Sequence, residues 1–452
     1  MRIELAEVKL PDFGVPQERP AIPAATLAAR CDRLVERARR DWVVVYADRE
    51  HLANMLHLTG FEPRFEEALL LLGPRGRRVI VAGNESLSYA EAVSPLPGLQ
   101  VMLAQSLSLM AQDRTQRPRL ENVLREAGIG AGDSVGMVGW KYLEPQEWDG
   151  PPAFFVPHML VAMLHKITGV APDDVTHLLM HPQHGDRAVV DADQIAQFEW
   201  GAARASAALQ RLARAARPGM SELEVAARMG YAGEPLSCHA MFSCGSPGRS
   251  LVGLASPSAR KLAEGDGVTA AVGYWGGLSC RAGLLATRDD EFLPVAKAYF
   301  RGVLAWYATA RIGASGGEVH AAVSEALAKG GLKSMLNPGH LVSYDEWSHS
   351  PVRPGAADRL VSGMPIQVDI IPTPIADGWA LNCEDAVVLA DETLRADIAA
   401  RHPEVWSRIE ARRTFAKDSI GVDLDPAVLP LSSNPLAFAP FWLAHEKLLV
   451  AA

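Results

Sequence analysis

Two histidines, His340 and His349, lie in a stretch rich in proline and glycine, LNPGHLVSYDEWSHSPVRPG. Imidazole is the side chain most easily tuned as an acid or base near neutrality, so either could move a proton. Between them, Tyr344, Asp345, Glu346 and Trp347 could contact a substrate or simply form a surface loop. Asp369 follows in the apolar run Met364-Pro-Ile-Gln-Val-Asp-Ile-Ile-Pro372, and Glu384 in Asn382-Cys-Glu-Asp385. An acid between Val368 and Ile370 either alternates outward to water or points inward, where desolvation is costly unless it is paired. Upstream, Cys280 precedes Arg281. A thiol beside a guanidinium could be a nucleophile or a soft metal ligand, or just a small buried hydrophobe. The planar fork of Arg281 suits a substrate carboxylate.

These residues need rigid elements to hold them. Glycine-punctuated strands are expected over residues 268–272, 278–286, 366–371 and 385–390, with helices over 293–310 and 317–329 between them. That pattern predicts an antiparallel sheet with helices on one face, the α+β arrangement. Ile195, Phe198, Ala202, Ala205, Leu209 and Leu212 recur at helical spacing. Asp191 with Gln194 reads as a cap at that helix start, and Ser221 with Glu224 as a capping box for the next. The first part of the chain differs. A helix over 27–40, a buried strand at 42–46, a short helix at 50–58 and strands at 68–72 and 77–82 alternate, followed by a helix at 117–127 and a strand at 134–139. This is an α/β layer with a mixed sheet. Residues 172–191 read as a polar connection, which divides the chain into domains at 1–185 and 186–452.

A chain of 452 residues, 48% hydrophobic and 21% charged, can bury two cores and is not disordered. Its net charge of −9 argues against nucleic acid or an anionic membrane as partner. No GxGxxG or GxxxxGK[ST] phosphate loop occurs in a strand-to-helix setting. Five cysteines without a CxxC pair fit a reducing compartment. The N-terminal MRIELAEVKLPDFG lacks the apolar core of a signal peptide, and no run approaches a membrane span. A cytoplasmic protein is expected.

Several segments carry a resemblance. DADQIAQFEWGAARASAALQRLARAARPGMSELEVAARM, Gly339-His340, His349-Ser-Pro351 and Cys383-Glu384-Asp385 resemble the catalytic domain of the creatinase/prolidase/aminopeptidase P superfamily (M24), whose fold is called pita-bread. WVVVYADREHLANMLHLTGF is similar to the creatinase-type N-terminal domain of that superfamily. Its metal-dependent members hold two cations with two Asp, one His and two Glu. The resemblance places the first Asp at Ala271 and the second at Cys280 or Arg281. The other three map to His340, Asp369 (in place of Glu) and Glu384. The substrate-facing histidine expected before the Gly265-Asp266 turn has no counterpart in residues 249–257.

With two carboxylates gone, a dinuclear site is not expected to form, and no cofactor is expected. A single Mn, Zn, Fe or Co ion on His340, Asp369 and Glu384 remains chemically sufficient, with Cys280 as a further candidate ligand. The resemblance implies a homodimeric hydrolase that cleaves a C–N bond in a small amino-acid-derived or guanidino-type substrate. In that reading His340, His349 and Glu384 are catalytic. Asp369, Arg281, Cys280 and Tyr344 contact the substrate, a zwitterion whose cationic end meets the acids and whose carboxylate meets Arg281. An Xaa-Pro peptidase working through one metal is the second reading. A non-catalytic domain that binds a ligand or partner is the third.

Overall fold

The structure, a computed structural model, describes residues 2–249 and 251–452. The chain forms two compact units, Ile22–Ala188 and a second made of Val189–Ala452 with the residues up to Ala21. The division at 185 is therefore corrected in two respects: the boundary falls at 188, and the first residues belong with the C-terminal unit. The reason is a strand pairing. Strand β1 (Ile3–Glu7) runs antiparallel to the last strand of the chain, Lys447–Ala451.

The unit Ile22–Ala188 is built on a six-stranded mixed sheet: β2 (Trp42–Ala47), β3 (Ala68–Gly73), β4 (Arg77–Ala82), β5 (Leu99–Leu103), β6 (Val135–Val138) and the short β7 (Asp173–Asp174). All residues of β2 and β3 are buried because both faces of the sheet are covered. Val43, Val45, Leu70 and Leu72 pack with Leu27 and Leu34 of the helix Ala24–Ala38. Val44, Leu69, Leu71 and Val79 pack with Leu124, Leu160 and Leu164 from helices on the other side. Apolar runs without alternation are what such strands require. The stretch read as a plain connection also holds β7 and a short helix, His177–Met180.

The C-terminal unit carries a seven-stranded sheet. Its strands are β8 (Met241–Gly245), β9 (Gly267–Tyr274), β10 (Gly277–Leu284), then, beyond the two-residue β11 (Lys333–Ser334), β12 (His340–Leu341) and β13 (Pro365–Val368). After β14 (Pro372–Thr373), which pairs only with β11, come β15 (Asn382–Leu389) and β16 (Val428–Pro430); β17 is Lys447–Ala451. The order is β12-β13-β15-β10-β9-β8, with β16 also on β15, and every pairing is antiparallel. The architecture is α+β, as expected. One face of β8, β9 and β10 is covered by the helix Ala192–Ala215, whose Ala205, Ala208, Leu209 and Leu212 meet Phe242, Val268, Ala270 and Val272. Burial of each large aliphatic side chain in such a layer contributes roughly 1.5–3 kcal/mol. Asp191 caps that helix through the Gln194 amide, and Ser221 with Glu224 forms the expected capping box.

Two glycines set the frame of the site. Gly276, in the β9–β10 hairpin, has φ +96°, and an added Cβ would stand 2.4 Å from the Phe198 ring. Gly339, just before β12, has φ +152°, and a Cβ there would meet Trp306 Nε1 at 3.0 Å. Only glycine lets the chain turn at these points and deliver His340 to the sheet.

Candidate active site

Strand register decides which side chains can meet. Ala271 stands opposite Cys280, and Cys280 opposite Glu384. Gln367 stands opposite both His340 and Ala386. Residues directly opposite share a face, and so do residues two apart along a strand. Ala271, Cys280, Glu384, Gln367 and His340 therefore lie on the face away from the helix Ala192–Ala215. Asp369 follows β13 by one residue and is buried.

On that face His340, fully buried, places Nε2 3.2 Å from Glu346 Oε1 and 3.8 Å from Glu384 Oε1. Its ring stacks on Trp347, with centroids 4.0 Å apart at 16°. Gln367 Nε2 donates to Glu384 Oε1 at 2.9 Å and to the Leu278 carbonyl at 2.7 Å, which holds the Glu384 carboxylate in place. Asp369 is buried near Glu384, His340 and Glu346, and its Oδ1 makes no hydrogen bond. Burial, reinforced by Glu384, pushes the Asp369 carboxyl well above its ordinary range. Burial also raises Glu384, against the pull of His340. Burial alone would depress His340, but Glu346 and Glu384 outweigh it and lift the imidazole to about 10.

The place where the family resemblance puts two carboxylates is different in character. Met241, Ala271, Leu278 and Cys280 form a small buried cluster there, with Cys238 packed against it. Cys280 Sγ accepts from Asn382 Nδ2 at 3.2 Å. Burial, with Glu384 and Asp369 nearby, raises its thiol well above 9, so the expectation of a thiolate favoured by Arg281 is corrected.

Arg281 is corrected as well. One residue on from Cys280, it projects to the opposite face, where Ala270 and Cys383 are its neighbours in register. Its NH2 group donates to Asp385 at 2.8 Å, and its other donors meet the carbonyls of Ala437, Cys280, Glu384 and Asn434. All its donors are spent inside the protein, so it cannot receive a substrate carboxylate at the site. Tyr344 is likewise turned into the protein. Its hydroxyl donates to Gln197 Oε1 at 2.8 Å and accepts from Gln194 Nε2 at 3.0 Å, and its ring packs edge-on to Phe198 and Trp275. His349 is half-buried on the segment paired with β12, its carbonyl accepting from the Leu341 amide at 2.7 Å.

Among the described residues, His340, Glu346 and Glu384 place one ligand atom each within 4.8 Å of one another. This differs from the trio His340, Asp369 and Glu384 expected for a single ion: Glu346 takes the place given to Asp369. The sequence signal for Glu346 was slight, an acid in a loop between two histidines. Only the fold of that loop against β12 brings it to His340.

Residues 197–391 match Metallopeptidase family M24. The prolidase of Pyrococcus horikoshii superposes with a TM-score of 0.63 at 14% identity, covering 80% of this chain and 95% of that one. The prolidase of Thermococcus sibiricus gives 0.64 at 16% identity, covering 82% and 96%. A dipeptidase of Mycobacterium ulcerans gives 0.59 at 22% identity, covering 82% and 94%. A search of curated proteins found no match. Residues 197–391 thus carry an M24-type domain, and the chain shares the fold of these prolidases and dipeptidases, with the pita-bread fold in its C-terminal unit. No helix among the described residues is long and apolar enough to cross a membrane.

Proposed function

We propose that this protein is an M24-type hydrolase that cleaves a C–N bond in a small amino-acid-derived or guanidino-type molecule without the usual pair of metal ions. One observation carries the reading. The row Ala271–Cys280–Glu384 across three strands holds a single carboxylate where the family resemblance calls for three. Two negative charges are missing from a site that would have to balance about four positive ones. The retained Glu384, Asp369 and His340, joined by Glu346, still form a compact acid–base group. In hydrolysis a carboxylate of this group takes the proton of the attacking water and passes it to the departing nitrogen, so that water adds across the broken bond. The acids favour a substrate that presents a cationic or strongly polarised nitrogen. The carboxylate end of a zwitterion has no partner in Arg281, and that half of the expectation is dropped. A homodimer in the cytoplasm is proposed with it.

A second reading, an Xaa-Pro peptidase, is favoured by the structural neighbours, which are prolidases and dipeptidases. The test is turnover. Guanidino acids, betaines and N-substituted amino acids are assayed beside Xaa-Pro dipeptides, each with and without Mn or Zn, in the native chain and in Glu384→Gln. Metal-pair-independent release of amine or urea, lost in Glu384→Gln, supports the proposal. Cleavage of Xaa-Pro dipeptides alone supports the second reading. No turnover of any of them overturns both and leaves a binding domain.

A further inference from the structure

We propose that His340, Glu346 and Glu384 form a site for one divalent first-row transition ion, with Glu346 as a ligand that none of the superfamily's ligand positions supplies. The inference deepens the function proposed above and rests on its premise that the paired site is absent.

The three candidate ligand atoms lie within 4.8 Å of one another. Ligands held about 2.0–2.2 Å from a common ion are separated from each other by roughly 3–4 Å, so little movement closes the group around a metal. His340 Nε2 is buried and sits 3.2 Å from Glu346 Oε1, yet it forms no aligned hydrogen bond. Both carboxylates are within 3.8 Å of that ring nitrogen. A second observation comes from Asp369. Asp369 is buried, and its Oδ1 has no hydrogen-bond partner, although Glu384, His340 and Glu346 are its electrostatic neighbours. A buried carboxylate oxygen left without a donor is costly, and a cation nearby offsets that cost. The donor set, one imidazole and carboxylate oxygens, suits Mn, Fe, Co or Zn rather than a soft ion. Three protein ligands leave an open position for water or substrate. Glu346 and Trp347 are partly exposed, so the ion has a path from solvent.

The lost positions explain why the site holds one ion. A second ion would need ligands from the side of Ala271 and Cys280, and there the lining is the apolar cluster of Met241, Ala271, Leu278 and Cys280. With a methyl group in place of one carboxylate and no carboxylate in place of the other, the charge to balance a second divalent ion is missing.

The test is calorimetric titration of the chelator-treated full chain with zinc and, separately, manganese, with Glu346→Gln as the variant. Glu346 is partly exposed, so this substitution is expected to fold, and thermal denaturation checks that it does. The expected result is one ion per chain, with affinity weakened by roughly 100-fold or more in Glu346→Gln. No binding of either ion, or unchanged affinity in a folded Glu346→Gln, overturns this inference and leaves the proposed function standing. Two ions per chain overturn both.

Discussion

Replacing Arg281 by alanine is expected to destabilise the protein by about 3–5 kcal/mol, because it strands Asp385 as an uncompensated charge among buried residues. Urea denaturation checks this, and a folded variant of native stability would contradict the position assigned here. The residue type alone could not show that role. Arginine beside cysteine suits a carboxylate site equally well, and a one-residue choice in strand register sends every side chain to the other face. Cys280 and Arg281 were indistinguishable until β10 was paired with β9 and β15. The acids and His340 make a second prediction. His340 is lifted from 6.5 to about 10, so the stability it contributes is complete below about 6.5 and is lost as pH rises toward 10. Asp369 is shifted upward by burial, so keeping it in the fold costs more as pH rises above the ordinary carboxylate range. Both effects have the same sign. The metal-free protein should therefore melt at lower temperature at about pH 9 than at about pH 6. A midpoint that rises over this range would contradict the environments described for the two groups.

The hairpin and helix supports were more legible than the side chains they hold. The stripe from Ile195 to Leu212 marked the helix Ala192–Ala215, which buries Ala205, Ala208, Leu209 and Leu212 against β8 and β9. Residues 192–203 are buried on every side, as the stripe alone did not show. Capping residues Asp191 and Ser221 marked helix starts because their side chains have a definite local partner. What stayed hidden depended on distant pairing. β8 and β16 are five residues or fewer and carry no alternation of their own, and β12 exists only because β13 lies beside it. The loop after β12 is the critical case. It presents Glu346 and Trp347 to His340 while Tyr344 anchors it to the helix Ala192–Ala215. Tyr344→Phe removes the hydrogen bonds to Gln197 and Gln194 without removing the ring. The expected loss is about 1–2 kcal/mol of stability, with weaker metal binding because the Glu346 loop loosens. Thermal denaturation and zinc titration read the two effects, and a variant identical to the native chain in both would contradict the anchoring role.

At the scale of the whole molecule, the N-terminal unit and the pita-bread unit each close their own core, and the chain's first strand serves the second of them. Deleting residues 2–7 leaves β17 without its partner and removes Ile3, which is buried in the intact chain. Calorimetry should show a lower transition for the C-terminal unit; an unchanged transition would contradict the division between units. The resemblance to the M24 group was readable from short segments, the glycine before His340 and the acid pair Glu384 and Asp385 among them. What the site does was not readable in the same way, since the informative change is an absence, two carboxylates replaced by Ala271 and Cys280. The central claim is that this absence leaves room for no more than one metal ion. Elemental analysis of protein purified without chelator and then saturated with manganese or zinc tests it most directly. One equivalent or less per chain is the predicted result, and two equivalents per chain would contradict the account.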